Sequence, residues 1–223
     1  MAGSPGAVLY LALETATDVP SLALGSPEDP GEDLRVSSRR DLSRDIESAT
    51  RALLARAGAA VRDLAGVVVS DGPGSFTGLR IGIAFAKGLC RAAGLPLAAA
   101  PSLLGAARHA SGGRGTVLAE YDALRGDVYR AAYRFHAAPS AGPAGRVAVE
   151  VLMAPALVAR DAPAPTLGPG QLRLAGPADA SAAALLALVG VGGGTTRIER
   201  PDAWEPVYGR LAEAEARRRA RGD

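Results

Sequence analysis

The sequence has few of the side chains that form disulfides and metal sites. Its one cysteine, Cys90, excludes an internal disulfide and a cysteine-based zinc cluster. Its two histidines, His109 and His136, lie in different segments, and neither has a second ligand-type residue three or four positions away. A two-histidine metal site is therefore not expected. We predict that the chain holds no metal and no cofactor.

The sequence also lacks a strong charge of either sign and a long apolar segment. The formal net charge is +2, so no overall electrostatic attraction to nucleic acid is expected. No apolar stretch approaches the ~20 residues that a membrane helix needs. The segment 1–17 lacks the basic start and sustained apolar run of a signal peptide. We expect a cytoplasmic protein that makes no membrane contact.

Aromatic residues make up only 4% of the sequence. A core must therefore be built mostly from alanine, leucine and valine. Hydrophobic residues at 48% and charged residues at 22% are ordinary for a globular protein. The 223 residues suffice for one large domain or two small ones.

Hydrophobic periodicity predicts an α/β arrangement in the first hundred residues. The predicted strands are 7–13, 20–25, 33–38, 66–70 and 95–100, and the predicted helices are 43–58 and about 79–93. Ser43 is a candidate cap for the first helix, and Gly58 and Gly94 are candidate stops. The order predicts a mixed sheet with helices packed on it. Ribonuclease-H-like and actin-like domains share this arrangement.

The second half of the chain is less regular. A hairpin is predicted over 116–135, with Gly126 in its turn. Loops rich in proline and glycine are predicted at 136–145 and 162–170, a short helix at 179–190, and a terminal helix that ends in arginines. We divide the chain into a first subdomain, 1–101 plus 205–223, and a smaller α/β subdomain, 102–204.

A glycine-rich loop lies between the strand 66–70 and the helix that follows it. Its glycines, Gly72, Gly74 and Gly78, permit unusual backbone angles and close approach of another group. The free N–H groups of the next helical turn are suited to bind an anion. The spacing matches neither a Walker A loop nor the dinucleotide fingerprint. Nucleotide binding and a purely structural turn both remain open at this stage.

The helix after this loop carries small residues at every fourth position, Gly78, Gly82 and Ala86. Such a row lets another element approach closely. The row either packs on the chain's own sheet or meets a partner protein. Its flanking apolar residues are Leu79, Ile83 and Phe85.

Two carboxylates are placed where strands end. Glu14, followed by Thr15, ends the first predicted strand, and Asp71 follows the strand 66–70. Ligands of open sheets bind near such strand ends, and two carboxylates could hold Mg²⁺ there. Capping of a turn by each acid is the interpretation we favour. Ser75 in the loop is not part of a hydrolase nucleophile motif.

Four stretches together resemble one known family. They are "LALETAT…SLAL", "GPGSFTGLRIGIAFAKGL", "YDALRGDVYRAAYRF" and "EPVYGR", in order from residue 11 to residue 210. They resemble the TsaB family of bacterial tRNA threonylcarbamoyladenosine biosynthesis proteins. The sequence departs from the family at Glu14, where Asp is commoner, at Gly209, where an apolar residue is usual, and before the first helix, where a histidine is often found.

The resemblance implies an actin-like ATPase fold that has lost its own catalysis. It implies a subunit that pairs with the related transferase TsaD, with the ATPase TsaE completing the assembly and tRNA met only through the complex. Where TsaD carries an H-x-x-x-H metal site, this chain has Ser102 and Ala106. The resemblance also implies that the first helix, 43–58, and the helix after the glycine loop pair with TsaD or with a second copy of the chain. The interface residues we expect are Ile46, Leu53, Gly78, Leu79, Gly82, Ile83, Phe85 and Ala86.

Two other functions stay open from the sequence. One is an ATP-dependent phosphotransferase or ATPase of the same fold. It would use Glu14, Thr15, Asp71 and the Gly72–Gly78 loop, including Gly74 and Ser75. The other is a nucleic-acid-binding module that uses the arginines at 217–221.

Overall fold

The computed structural model describes residues 8–123, 125–137, 147–167 and 172–206. The strands are β1 (Leu9–Glu14), β2 (Ser21–Gly25), β3 (Leu34–Arg35), β4 (Leu64–Ser70), β5 (Leu97–Ala100), β6 (Gly115–Asp122), β7 (Asp127–Ala137), β8 (Val147–Ala159), β9 (Leu172–Ala175) and β10 (Thr196–Arg197). The helices are α1 (Leu42–Ala57), α2 (Phe76–Ala93), α3 (Ser102–Ser111) and α4 (Ala182–Leu186).

The first five strands form the predicted mixed sheet, to which β10 adds a sixth strand. Its order is β10-β5-β4-β1-β2-β3, with β1, β4 and β5 parallel to one another and the outer pairs antiparallel. The central strand β4 is buried, since Val67, Val68 and Val69 are at most 1% exposed. Such a β-branched run is typical of a strand that is covered on both faces.

Helices α1 and α2 lie against each other and pack on this sheet. Gly58 and Gly94 end them in the left-handed conformation, as predicted. Both starts differ from the prediction. Helix α1 begins after Asp41, so Ser43 is not its cap. Helix α2 begins at Phe76, because the Ser75 hydroxyl accepts the Gly78 N–H at 3.2 Å and allows the helix to start a turn earlier.

A second sheet, ordered β8-β7-β6-β9, follows α3 in the chain. The predicted hairpin is confirmed as β6 and β7, and Arg125 and Gly126 in its turn have φ values of 58° and 86°. The sequence did not predict α3, β8 or β9. Strand β8 lies at the edge of the sheet, and its register with β7 shifts at a bulge near Pro155. Edge strands and bulges are the places where a sheet accepts proline.

The chain returns to the first sheet before residue 205. Helix α4 packs on β1 and β2, and β10 pairs with β5. The predicted division at 101 and 205 stays a prediction, but in the structure the second sheet extends only from β6 to β9. Helix α4 is shorter than predicted, because a 3-10 turn occupies 177–179 and Ser181 caps the helix.

The segment 201–206 contacts helix α2 through Lys87 and Arg91. The Lys87 ammonium donates to the Trp204 carbonyl at 2.5 Å and lies 5.6 Å from the centre of the Trp204 ring. Arg91 forms an ion pair with Asp202 at 3.2 Å. The predicted terminal helix, with its arginines at 217–221, lies outside the described residues. Among the residues described, no helix combines the length and apolar character of a membrane span.

Candidate functional site

The turn between β1 and β2 lies directly on the glycine loop. The Ser75 N–H donates to the Ala16 carbonyl at 2.7 Å, and the Thr15 N–H donates to the Ser70 hydroxyl at 3.1 Å. Thr15 and Ala16 are buried in this contact. The structure therefore brings together the loop and the residues that end β1, as the sequence predicts.

Three glycines make this contact sterically feasible. A Cβ atom on Gly74 would lie 2.5 Å from the Ala16 carbonyl oxygen. A Cβ on Gly78 would overlap the Thr15 carbonyl oxygen, and one on Gly82 would overlap the Thr15 side chain. Among Gly72, Gly74, Gly78 and Gly82, Gly72 alone has a positive φ, of 103°, and so needs the conformational freedom of glycine. The other three admit the chain's own turn.

Side chains of the protein occupy several donors that a phosphate would need. The Gly72 N–H donates to the Ser102 hydroxyl at 3.1 Å, and the Gly78 N–H donates to the Ser75 hydroxyl. Arg39 in turn donates to Ser75 at 3.0 Å and pairs with Asp18 at 3.2 Å. Because these backbone donors are satisfied within the chain, they are not free to bind an anion.

Glu14 lies beneath the turn and is fully buried. One of its carboxylate oxygens accepts the Ala16 N–H at 2.7 Å, so it caps the turn as the favoured interpretation proposed. The pKa of Glu14 is raised to about 7, chiefly by burial and also by the nearby acids Asp33 and Asp71, while the hydrogen bonds from Ala16 and Ser70 oppose the rise. Among the described residues, the second Glu14 oxygen has no hydrogen-bond partner, and neither does the buried Thr15 hydroxyl.

Asp71 lies close enough to influence Glu14, and burial raises the pKa of Asp71 to about 6. Both acids therefore carry burial costs that no cationic side chain offsets. Within the described residues, no group of three or more histidines, cysteines or acids is arranged to hold a metal ion. Glu14 and Asp71 therefore behave as buried acids in the region where the β1–β2 turn, the glycine loop and the second sheet meet. We call this region the seam.

Two tyrosines from the second sheet complete this seam, and the sequence analysis missed both. The Tyr121 hydroxyl donates to the Ser102 carbonyl at 3.2 Å, and the buried Tyr133 hydroxyl has no partner in the structure. Burial raises the pKa of both, with Glu14 adding to the effect on Tyr121 and Asp71 to that on Tyr133. They lie on β6 and β7, far along the chain from the loop, and no sequence spacing indicates the contact.

The residues predicted to contact a partner are mostly turned inward. Seven of the eight are buried within the chain: Ile46, Leu53, Gly78, Leu79, Gly82, Ile83 and Ala86. Phe85 is half-buried. This placement corrects the orientation we expected, because the Gly78–Gly82 row faces Thr15 of the same chain. Pairing of the two helices with a partner stays a prediction, and it would use their other faces.

The outward face of α2 is small and partly apolar. Thr77, Ala84 and Gly88 are exposed, and Ile81 and Phe85 are half-buried among them. The spacing of four, three and four residues from Thr77 to Gly88 places these side chains on one side of the helix. A second element could approach this face closely because alanine and glycine lie at its centre.

The glycine contact predicts opposite effects for two alanine substitutions in α2. Gly78→Ala should destabilise the fold by about 1–3 kcal/mol, because its Cβ meets backbone atoms that cannot turn aside. Gly88→Ala should stabilise it by about 0.5–1 kcal/mol, because its Cβ enters open space and alanine favours the helix. Urea unfolding of the two variants would measure this. Equal effects would contradict the proposed role of Gly78.

The raised pKa of Glu14 predicts a stability that falls as the pH rises. The folded state holds the Glu14 proton more tightly than the unfolded chain, whose pKa is near 4.5. The resulting penalty is absent below pH 4.5, grows between pH 4.5 and 7, and reaches about 3 kcal/mol above pH 7. Asp71 acts in the same direction between pH 3.8 and about 6.

Glu14→Gln should remove the Glu14 part of this dependence. Between pH 5 and pH 8, we expect the free energy of unfolding of the wild type to fall by about 2–3 kcal/mol more than that of the variant. The exposed Glu47→Gln is the matched control and should follow the wild-type profile. A Glu14→Gln profile parallel to the wild type would show that Glu14 is ionised at no cost in the folded protein.

Comparisons with known proteins show which family the sequence resembles. The family model described as "TsaD: tRNA N6-adenosine threonylcarbamoyltransferase" matches residues 36–153. The Escherichia coli tRNA threonylcarbamoyladenosine biosynthesis protein TsaB is 36% identical over 126 residues, which is 56% of this chain and 54% of that protein. The Bacillus subtilis protein of the same name is 38% identical over 87 residues, which is 39% of this chain and 38% of that protein. The match thus spans about half or less of these two relatives.

A solved structure shares the fold. It is YeaZ from Pseudomonas aeruginosa, with a TM-score of 0.67 and 24% identity over 82% of this chain and 91% of that chain. The chain has the actin-like, ribonuclease-H-like α/β fold that the sequence predicts. Because the family model covers just over half of its length, the chain belongs to the family of TsaD and TsaB proteins.

Proposed function

We propose that this chain is a non-catalytic subunit that binds a TsaD-like transferase and supports the threonylcarbamoylation of adenosine in tRNA. Two curated relatives are named as TsaB proteins of this biosynthesis, and the family model bears the name of the transferase. A TsaE-like ATPase would complete the assembly, and tRNA would reach the chain through the complex. The chain would act in the cytoplasm and could pair with a second copy of itself when the transferase is absent.

The filled glycine loop is the observation that carries the non-catalytic assignment. In a phosphate-binding loop, the glycines make room for the ligand and the helix N–H groups point at it. Here Thr15 and Ala16 take that room beside Gly74, Gly78 and Gly82, and the Ser75 N–H is bonded to Ala16. The features that would bind a nucleotide instead bind the β1–β2 turn.

The residues at the position of the transferase's metal site also support this assignment. The resemblance places Ser102 and Ala106 where TsaD carries two histidines. Both residues are buried in α3, and the Ser102 hydroxyl is engaged with the Gly72 N–H. Neither side chain is a strong ligand for a transition metal.

The enzymatic alternative draws on Glu14 and Asp71 but is less well supported. A catalytic carboxylate must reach the substrate or a metal-bound water. Glu14 has no exposed surface, and one of its oxygens is occupied by the turn that it caps. An ATPase reaction would therefore require the turn to leave its contact with the loop.

We propose that the outward faces of α1 and α2 bind the transferase. Helix α2 offers Ala84 and Gly88 at the centre of this face, and α1 lies beside it with Ala49 and Ala52 half-buried. The buried residues first predicted as contacts, such as Ile83, would then support the surface from below. Helix packing at 8–10 Å depends on small side chains where the axes cross.

A charged residue at Ala84 tests this surface. Ala84→Arg should leave the fold intact, because the site is exposed and arginine is a good helix former. We expect at least a tenfold loss of affinity for the TsaD homologue of the same genome, measured by co-purification and by titration. Ala154→Arg, exposed on β8, is the matched control and should bind as the wild type does. If Ala84→Arg binds normally, the transferase contacts another surface.

The alternative enzymatic function predicts turnover of ATP by the chain alone. We expect wild-type protein with Mg-ATP to release no more phosphate than the Glu14→Gln variant, because the chain's own turn already lies against Gly74, Gly78 and Gly82. Phosphate release by the two purified proteins is the measurement. Sustained wild-type turnover that Glu14→Gln abolishes would overturn the non-catalytic assignment.

A further inference from the structure

Four basic residues lie at or beside the C-terminal end of α3. Arg108 and His109 lie in its last turn, Arg114 follows in the turn 112–115, and Arg173 reaches over from β9. The Arg173 guanidinium donates to the Ala110 carbonyl at 3.2 Å, which brings β9 to the end of the helix. The cluster therefore combines residues from three elements of the second half of the chain.

The guanidinium of Arg108 is held in place without an acidic partner. It lies on the backbone of Gly113, where a Cβ atom would be 2.9–3.1 Å from three of its atoms. Its Nε is buried and has no hydrogen-bond partner in the structure. Burial lowers the pKa of Arg108, and no neighbouring charge counters this. Arg108 as a whole is half-buried, and its charge has no acidic partner within the described residues, whereas cations withdrawn from water are normally paired.

The turn beside Arg108 is built to keep this arrangement. Gly112, Gly113 and Gly115 have φ values of 61°, 78° and 72°, which other residues rarely adopt. The Ser111 hydroxyl accepts the Gly113 N–H at 3.0 Å and donates to the Ala107 carbonyl at 2.7 Å. A Cβ atom built on Gly112 or Gly115 would meet no atom within 4 Å, so the space on that side of the turn is open in the described structure.

The cluster contrasts with most other arginines of the chain. Ten arginines elsewhere in the described residues form ion pairs with acids. Within the same residues, Arg108, Arg114 and Arg173 form none. Helix-dipole stabilisation accounts for Arg173, which donates to the Ala110 carbonyl in the last turn of α3. It does not account for Arg108 or Arg114.

We propose that Arg108, His109, Arg114 and Arg173 bind the phosphate backbone of an RNA strand. Guanidinium groups match phosphate oxygens with two parallel hydrogen bonds. His109, Arg114 and Arg173 are exposed rather than gathered in a cleft, which suits successive phosphates of a strand better than one small anion. This inference rests on the proposed function in that tRNA is the RNA to which such a subunit is brought.

Titration of a fluorescein-labelled tRNA transcript with the full chain, followed by fluorescence anisotropy at several salt concentrations, tests the cluster. The variant is Arg108→Gln with Arg114→Gln, since neither side chain forms an ion pair or hydrogen bond in the described structure. We expect Kd to rise about tenfold and the salt dependence of log K to fall by about 0.7–0.9 for each phosphate that the variant no longer neutralises. The melting temperature should stay within a few degrees of the wild type.

The matched control removes the same charge elsewhere. Arg62→Gln with Arg197→Gln changes two exposed arginines and should bind the tRNA like the wild type. Equal weakening by both pairs, unchanged binding by the cluster variant, or no binding by the wild type would overturn the inference. Displacement of the tRNA by inorganic phosphate, beyond the effect of chloride at equal ionic strength, would assign the cluster to a small anion instead.

The two proposals can fail separately. The cluster variant should co-purify with the TsaD homologue as well as the wild type does, because its substitutions lie away from α1 and α2. Normal co-purification with unchanged tRNA binding would remove only this inference. Weakened tRNA binding by the variant, together with no co-purification of the wild type, would remove only the proposed partner.

Discussion

The contact between the β1–β2 turn and three glycines, Gly74 in the loop and Gly78 and Gly82 in α2, constrains how β1 and α2 are arranged. The turn can lie there only because Gly74, Gly78 and Gly82 lack a Cβ. Once Thr15 and Ala16 are in place, β1 is fixed to the start of α2, and Ser70 and Ser75 bond the turn from both sides. Helix α1 then packs beside α2. Contacts of α1 with β2 and of α2 with β4 and β5 complete the packing of the two helices on the sheet.

The same contact explains the electrostatics of the seam. Closing the turn over the loop buries Glu14 and leaves Asp71 mostly shielded, with Tyr121 and Tyr133 supplied by the second sheet. Buried polar atoms without partners each cost about 1–3 kcal/mol, and the seam contains three: in Glu14, Thr15 and Tyr133. Protonation of Glu14 relieves part of this cost, which is why the acid pKa values rise rather than fall.

Strongly periodic segments were predictable from the sequence, and close contacts were not. The β-branched run of β4, the stripe on α1 and the stops at Gly58 and Gly94 each depend on local chemistry. Helix α3 was missed because its alanines, glycine and serines form no distinct apolar stripe, and β8 because it contains Pro155 and does not alternate. A row of small residues looks the same in sequence whether it faces its own chain or a partner. Only the position of Thr15 in space decides this for Gly78 and Gly82.

Helix α2 therefore has two faces of small residues: an inner face that packs within the chain and an outer face that is exposed. The inner face, Gly78 to Ala86, is closed by the chain's own turn, so substitutions there change the stability of the fold. The outer face, around Ala84 and Gly88, contacts nothing in the described chain that would close it. In the proposed assembly the partner occupies this outer face on the first sheet. The basic cluster of α3 and β9 lies with the second sheet. Because the two surfaces share no element, the proposed binding of a transferase and of an RNA strand would use different parts of the chain.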